Sequence, residues 1–192
     1  MDYTFLMGPE RVDAARNRTL LLEAARRLIT EHGAARVSTD DIAAAAGVGK
    51  GTLFRRFGSR AELMLVLLDE DEQASQQAFL FGPPPLGPGT PPLPRLLAFG
   101  AHRIRFGHRH HELLTAAADG AAGRDNPPDS VVRAHIRILL AEAGSTGDLQ
   151  AQTDALAALL DATYIEARRC AGHDVDAQIA GWQSVAEKLC GR

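Results

Sequence analysis

Two cysteines, Cys170 and Cys190, are too few for a disulfide framework. The opening Tyr3–Met7 stretch is too short for a signal core or a membrane span, and Gly8-Pro9 ends it. A soluble cytoplasmic protein is the expectation. Runs of β-branched residues are scarce beside abundant Ala and Leu, which points away from sheet and toward an all-α protein. No phosphate loop, nucleophile–base arrangement or metal motif is present, so the expectation is no enzyme, no cofactor and no resident metal. At 192 residues and 45% hydrophobic content, the chain can bury one ordinary core and a small second one.

What is present is uneven in charge. The net −3 hides a split: residues 1–60 hold 10 basic and 7 acidic side chains, while residues 61–192 hold 11 and 17. A basic head on an acidic body suits a protein that docks on nucleic acid through one end.

That head contains Ser38–Arg60, STDDIAAAAGVGKGTLFRRFGSR, which reads as two short helices and a tight turn. Ser38 is placed as an N-cap, with Asp40 and Asp41 where the helix dipole favours negative charge. Gly47 is placed to end the first helix in the left-handed conformation, Val48 to plug inward, and Gly49 to cap the second helix. In the second helix, Lys50–Phe57, setting Leu53 and Phe57 inward turns Gly51, Thr52 and Arg55 outward. Lys50 and Phe54 then lie on one flank and Arg56 on the other. A helix bearing a hydroxyl and guanidinium groups outward is what major-groove reading requires. Ser59 to Glu62 opens the next helix as a capping box, bringing Arg60 near as a phosphate anchor. A surface turn with solvated arginines fits the same spacing.

The string itself decides between them. Ile42, Ala43, Ala46, Gly47, Val48, Gly51, Thr52, Leu53 and Phe57 make the stretch from Arg16 to Leu68 closely resemble the N-terminal domain of TetR-family transcriptional regulators. The resemblance implies that Thr39 meets a phosphate and that Lys50, Gly51, Thr52, Arg55 and Arg56 face the groove. Phe54 stands where the family usually has a tyrosine, and Arg60 where it usually has a lysine. It also implies dimerisation through the last two long helices.

Along the rest of the chain, Asp13–His32 is helical, with Leu21, Ala24, Ala25, Leu28 and Ile29 on one stripe and Gly33 at its end. The fourth helix, Ser59 to about Phe81, carries an acidic run, Asp69–Glu72; the resemblance makes it the link from the reading head to the body, a core helix with a solvated acidic tip is the plainer reading, and the two are compatible. Gly82–Pro94 is too rich in proline for helix or central strand and reads as a domain boundary. The expected order is a flexible arm (1–12), a three-helix helix-turn-helix DNA-binding domain (13–60), a connecting helix (61–81), the Pro-rich loop (82–94), and a helical ligand-binding and dimerisation bundle (95–192).

Within that bundle a helix is expected from Arg95 to about Gly107, a short segment near His110–Asp119, and another helix at Asp129–Ala143. Leu149, Thr153, Leu156, Leu160, Thr163, Ala167 and Cys170 recur at steps of four and three, as do Val175, Ile179, Trp182, Ala186 and Leu189. Burial inside one subunit gives this pattern too; the resemblance makes it a dimer seam. Phe99, His102, Phe106, His135 and Tyr164 are candidates for an effector cavity, with an ordinary core face as the alternative.

The expectation is thus a homodimeric, sequence-specific transcriptional regulator, a repressor released from a pseudo-palindromic double-stranded DNA operator by a small-molecule effector. A helical small-molecule-binding protein or a metal-responsive regulator is the alternative.

Overall fold

A computed structural model describes the backbone of residues 9–118 and 127–191, and the side chains of 13–114 and 130–191. Among the described residues there is helix and turn but no strand. The helices are α1 (Pro9–His32), α2 (Thr39–Ala46), α3 (Lys50–Phe57), α4 (Arg60–Phe81), α5 (Pro92–Ala118), α6 (Pro127–Glu142), α7 (Leu149–Ala158), α8 (Ala162–Cys170) and α9 (Val175–Leu189). A single 3-10 turn, Ala34–Arg36, joins α1 to α2.

The chain divides into two compact units. The first takes the described residues through Asp69 together with 112–118, and the second takes 70–111 and 127–191. The division therefore falls inside α4 and α5, and the Pro-rich loop lies within the second unit. It bounds no domain.

In the first unit, Leu21, Ala24 and Ala25 of α1 pack with Ile42, Ala43, Leu53, Phe57, Leu63, Met64 and Leu67. Leu28 and Ile29 complete the α1 stripe as partly buried neighbours. α1 begins at Pro9 instead of after residue 12, because proline suits the first helical turn, where its missing N–H has no partner to lose. Residues 1–8 of the expected arm lie outside the described residues.

In the second unit, Phe79, Phe99, Ile104, Ile136, Leu139, Leu140, Leu156, Ile165, Ile179 and Trp182 are buried together. α5 starts earlier than Arg95 for the same reason as α1: Pro92 and Pro94 occupy its first turn. Arg95 then closes the loop before it, donating to the Leu86 carbonyl (3.1 Å) and to Phe79 O at the end of α4 (2.9 Å). α5 also runs unbroken through Gly107, where a stop was expected. A Cβ at Gly107 would lie 2.8 Å from Ile165 Cδ1, and one at Gly100 would lie 2.1 Å from the Trp182 ring. Both glycines answer to neighbours packed against the helix, and neither ends it. The DGAAGRDNPP break begins after α5, residues 119–126 lie outside the described residues, and its two prolines open α6.

The run of steps of four and three from Leu149 to Cys170, which suits one helix, is divided between two, α7 and α8. Asp161 accepts from the N–H groups of Thr163 (2.8 Å) and Tyr164 (3.3 Å), starting α8 afresh. Leu156 O, near the end of α7 and so without an intrahelical partner, accepts instead from the Trp182 indole at 3.0 Å.

Candidate nucleic-acid interface

The turn between α2 and α3 is fixed at each end by hydrogen bonds. The Asp41 N–H donates to Ser38 Oγ (3.1 Å), and the Ser38 N–H donates back to the Asp41 carboxylate (3.0 Å). This is a capping box closed by aspartate, and its bonds hold the Asp41 carboxyl below its ordinary pKa. At the other end Gly47 has φ 67° and ψ 29°, and the N–H of Val48 donates to Ala43 O at 3.0 Å. A left-handed residue at that point satisfies trailing carbonyls at little cost only when it is glycine. Val48 packs against the core of the unit, and Gly49 caps α3 without a side chain.

α3 is seated by Leu53, fully buried, and Phe57, 7% exposed. Lys50, Gly51, Phe54, Arg55 and Arg56 are exposed, and Thr52 is half-buried. The space beside Gly51 is open, with nothing within 4 Å of where a Cβ would lie. Arg55 donates to Thr52 Oγ1 at 3.4 Å, a long bond that aligns the two outward groups. The phase expected of α3 is thus the one observed. Thr39 is half-buried in the first turn of α2.

Two features of this surface differ from the sequence reading. Lys50 is paired with Asp40, Nζ lying 2.6 Å from one carboxylate oxygen and 2.9 Å from the other, with both side chains exposed. A pair of this kind is worth about 0–1 kcal/mol and opens readily to a competing anion. Arg60 does not extend as a phosphate anchor. Its Nε donates to Val37 O at 3.0 Å and its Nη2 to Ala34 O, so the guanidinium folds inward and braces the turn before α2. Sequence spacing located Arg60 but could not reveal that two carbonyls of a 3-10 turn lay within its reach.

The second unit separates the other candidates. Phe99 and His135 are buried with Phe79, their ring centroids 4.8–4.9 Å apart pairwise. Burial, with Arg95 nearby, lowers the His135 pKa to about 4, and its Nε2 is buried without a hydrogen-bond partner. His102 Nε2 lies 2.8 Å from Ser75 Oγ, and burial lowers its pKa also. Phe106 is flanked by the Arg103 guanidinium at 4.7 Å and the His110 ring at 4.1 Å. Tyr164 is not with them. It is 41% exposed, because the adjacent Ile165 takes the inward position of α8.

Of the acidic run Asp69 is exposed, but its last two carboxylates are held by neighbours in the second unit. Glu72 is 6% exposed and accepts from Arg103 at 2.9 and 3.0 Å, and Asp71 lies 3.0 Å from His110 Nε2. Arg103 donates to Ser75 Oγ as well, at 3.1 Å. Among the described residues, no group of three or more His, Cys, Asp or Glu is placed to hold a metal ion.

Most of the expected dimer seam is core or packs against it. Thr153, Leu156, Ile179, Trp182 and Ala186 are buried within their own subunit, and Leu149, Leu160, Val175 and Leu189 pack against that core. Only Thr163, Ala167 and Cys170 of the seam are exposed. The same spacing serves burial within one chain, and here α7 and α9 use it against each other.

A capped, glycine-terminated α2 followed by an eight-residue α3 with its polar face outward defines a helix-turn-helix protein. Residues 21–67 match the model for bacterial regulatory proteins of the tetR family. The likeness to the tetR family shown by this match is that of the N-terminal domain, residues 21–67. The chain is 40% identical over 57 residues to the HTH-type transcriptional regulator TtgR of Pseudomonas putida, covering 30% of this chain and 27% of TtgR. It is 36% identical over 61 residues to an HTH-type transcriptional regulator of Staphylococcus aureus, covering 32% and 33%. The chain thus spans about a quarter to a third of the length of these relatives.

Likeness over most of the chain comes from solved structures. A TetR-family regulator from Pectobacterium atrosepticum superposes with TM-score 0.67 at 19% identity, over 93% of this chain and 94% of that one. SCO4454, a TetR-family regulator from Streptomyces coelicolor, gives 0.60 at 22% identity, over 92% and 95%. At such identities the likeness is one of fold: an N-terminal helix-turn-helix with a C-terminal helical bundle. Among the described residues no helix is long and apolar enough to cross a membrane.

Proposed function

We propose that the protein is a homodimeric, sequence-specific DNA-binding repressor that leaves a pseudo-palindromic operator when a small molecule binds its second unit. The observation that carries this reading is the seating of α3. Leu53 and Phe57 fix its inner face while Arg55 and Arg56 are exposed and half-buried Thr52 lies beside Arg55. Arg55 takes the base-reading role, since a guanidinium pairs with guanine O6 and N7. Thr39, Lys50 and Arg56 make phosphate contacts, Lys50 exchanging Asp40 for the DNA. Phe54, 41% exposed, offers an apolar surface to a thymine methyl or sugar. Gly51 lets the backbone approach.

One short helix makes too few base contacts to select a site, so a second copy is required, with half-sites about 34–36 Å apart or a multiple of that. Once the core residues are removed from the seam, the surface left for the partner is the outer face of α8 and α9. Tyr164 (41% exposed) and Val185 (36%) lie there with exposed Thr163, Ala167 and Gly181. For the effector, the rings of Phe79, Phe99 and His135 form an apolar wall with one unpartnered imidazole nitrogen. It suits an aromatic or apolar molecule carrying a single polar group. No step in this reading is catalytic.

A gel-shift with the DNA upstream of its own coding sequence tests the reading. Specific retardation at moderate salt, surviving excess unrelated duplex, is expected. Its absence sinks the proposal.

A further inference from the structure

We propose that Glu112 is a positioning residue for the reading head: from α5 it holds the Gly33–Val37 turn that sets where α2 begins. The proposal rests on the DNA-binding reading above. Ala34 is fully buried, and its N–H donates to a carboxylate oxygen of Glu112, across 78 positions of sequence. On the carbonyl side of the same turn, Arg60 donates to Ala34 O and Val37 O. One short peptide segment is therefore held at its N–H by an anion and at its carbonyls by a cation. Charge-assisted hydrogen bonds of this kind are the strong ones.

Gly33 fits the arrangement twice over. Its φ is 82°, which disfavours any side chain, and a Cβ there would lie 2.9 Å from Glu112 Oε2. The carboxylate occupies the space a side chain would take. Leu113, the next residue of α5, is buried in the core of the first unit, so this end of α5 is anchored where Glu112 acts. The residue after Val37 is Ser38, the cap of α2, and Thr39 follows. Moving the turn moves the cap, and with it the base on which α3 is presented. Since α5 through His111 belongs to the second unit, Glu112 stands at the point where that helix enters the first.

The test compares Glu112→Ala and Glu112→Gln with the unaltered full-length chain. The readouts are amide hydrogen exchange at Ala34 and affinity for the upstream DNA fragment that the unaltered chain retains. Glu112→Ala is expected to speed Ala34 exchange and weaken DNA binding by about tenfold each, with far-UV circular dichroism unchanged at the working temperature. Glu112→Gln, which keeps an acceptor oxygen, is expected to recover part of both. Unchanged exchange at Ala34 overturns the proposal, and so does faster exchange with undiminished DNA affinity. Should the alanine variant fail to fold, the glutamine variant carries the same two measurements. If the unaltered chain retains no DNA, the DNA-binding reading fails by itself, and the exchange measurement still decides whether Glu112 holds the turn.

Discussion

Arg55 and Arg60 are both arginines beside the same turn, yet their surroundings give them different work. Arg55 is exposed and donates to Thr52 Oγ1, whereas Arg60 donates to two backbone carbonyls. Arg55→Ala is therefore expected to leave the thermal midpoint unchanged and to relax preference at one base position by about 1–3 kcal/mol, read by site selection from a randomised duplex pool. Arg60→Ala removes the charged donor from Val37 O and from buried Ala34 O, which keeps only the long 3.4 Å bond from the Val37 N–H, and is expected to cost about 1.5–3 kcal/mol of stability. Thermal denaturation followed by far-UV circular dichroism checks that. If Arg60→Ala leaves the midpoint unchanged and instead lowers the salt dependence of DNA binding, the inward assignment is wrong. Arg55 was legible in the sequence because helical phase alone turns it outward. Arg60 was not, because a long side chain at a helix start can extend or fold back, and only the carbonyls of the 3-10 turn decide.

At the scale of elements, the sequence was most readable where local chemistry governs and least where packing does. Ser38 and Gly47 bound α2 through their own hydrogen bonds, so its ends could be read from a few residues. Gly107 reads locally as a stop, but Ile165 fills the space beside it and α5 continues. The steps of four and three from Leu149 to Cys170 pass through Asp161 without a sign, although its carboxylate starts a new helix there. Periodicity reports which face is buried and is silent on whether the helix is broken or which chain does the burying. Gly100 makes the packing argument testable. A methyl group placed 2.1 Å from the Trp182 ring requires α5 and α9 to separate, and overpacking of this kind costs about 1–3 kcal/mol. Gly100→Ala is expected to lower the urea midpoint despite alanine's better helix propensity, which would favour it by about 1 kcal/mol on an open surface. A midpoint that rises would mean the two helices do not pack as closely as described.

At the scale of the whole molecule, the two units have separate cores and need not lose stability at the same pH. His135 lies in the second, buried among rings, and its pKa falls from the ordinary 6.5 to about 4. Above 6.5 the imidazole is neutral folded or unfolded and contributes nothing to pH dependence. Between 6.5 and about 4 the unfolded chain takes up a proton that the folded chain refuses, so stability falls as the pH is lowered, by about 1.4 kcal/mol per unit. Below about 4 both forms are protonated and the loss levels off near roughly 3 kcal/mol. His102, its pKa also lowered by burial, acts in the same direction. Glu166 is held near 2 by Arg169, so its support is present above 4.5 and is lost only as the pH falls toward 2. That side chain is exposed to solvent, and its contribution is screened. The range from pH 7 to 5 therefore isolates the imidazoles. The single tryptophan, Trp182, is 2% exposed in the second unit and reports on that unit alone. Urea unfolding followed by its fluorescence is expected to show stability decreasing from pH 7 to 5, and His135→Leu to flatten that slope by about one proton. An unchanged slope in the variant would mean that His135 accepts its proton in the folded protein, and that the ring wall around it is open to water.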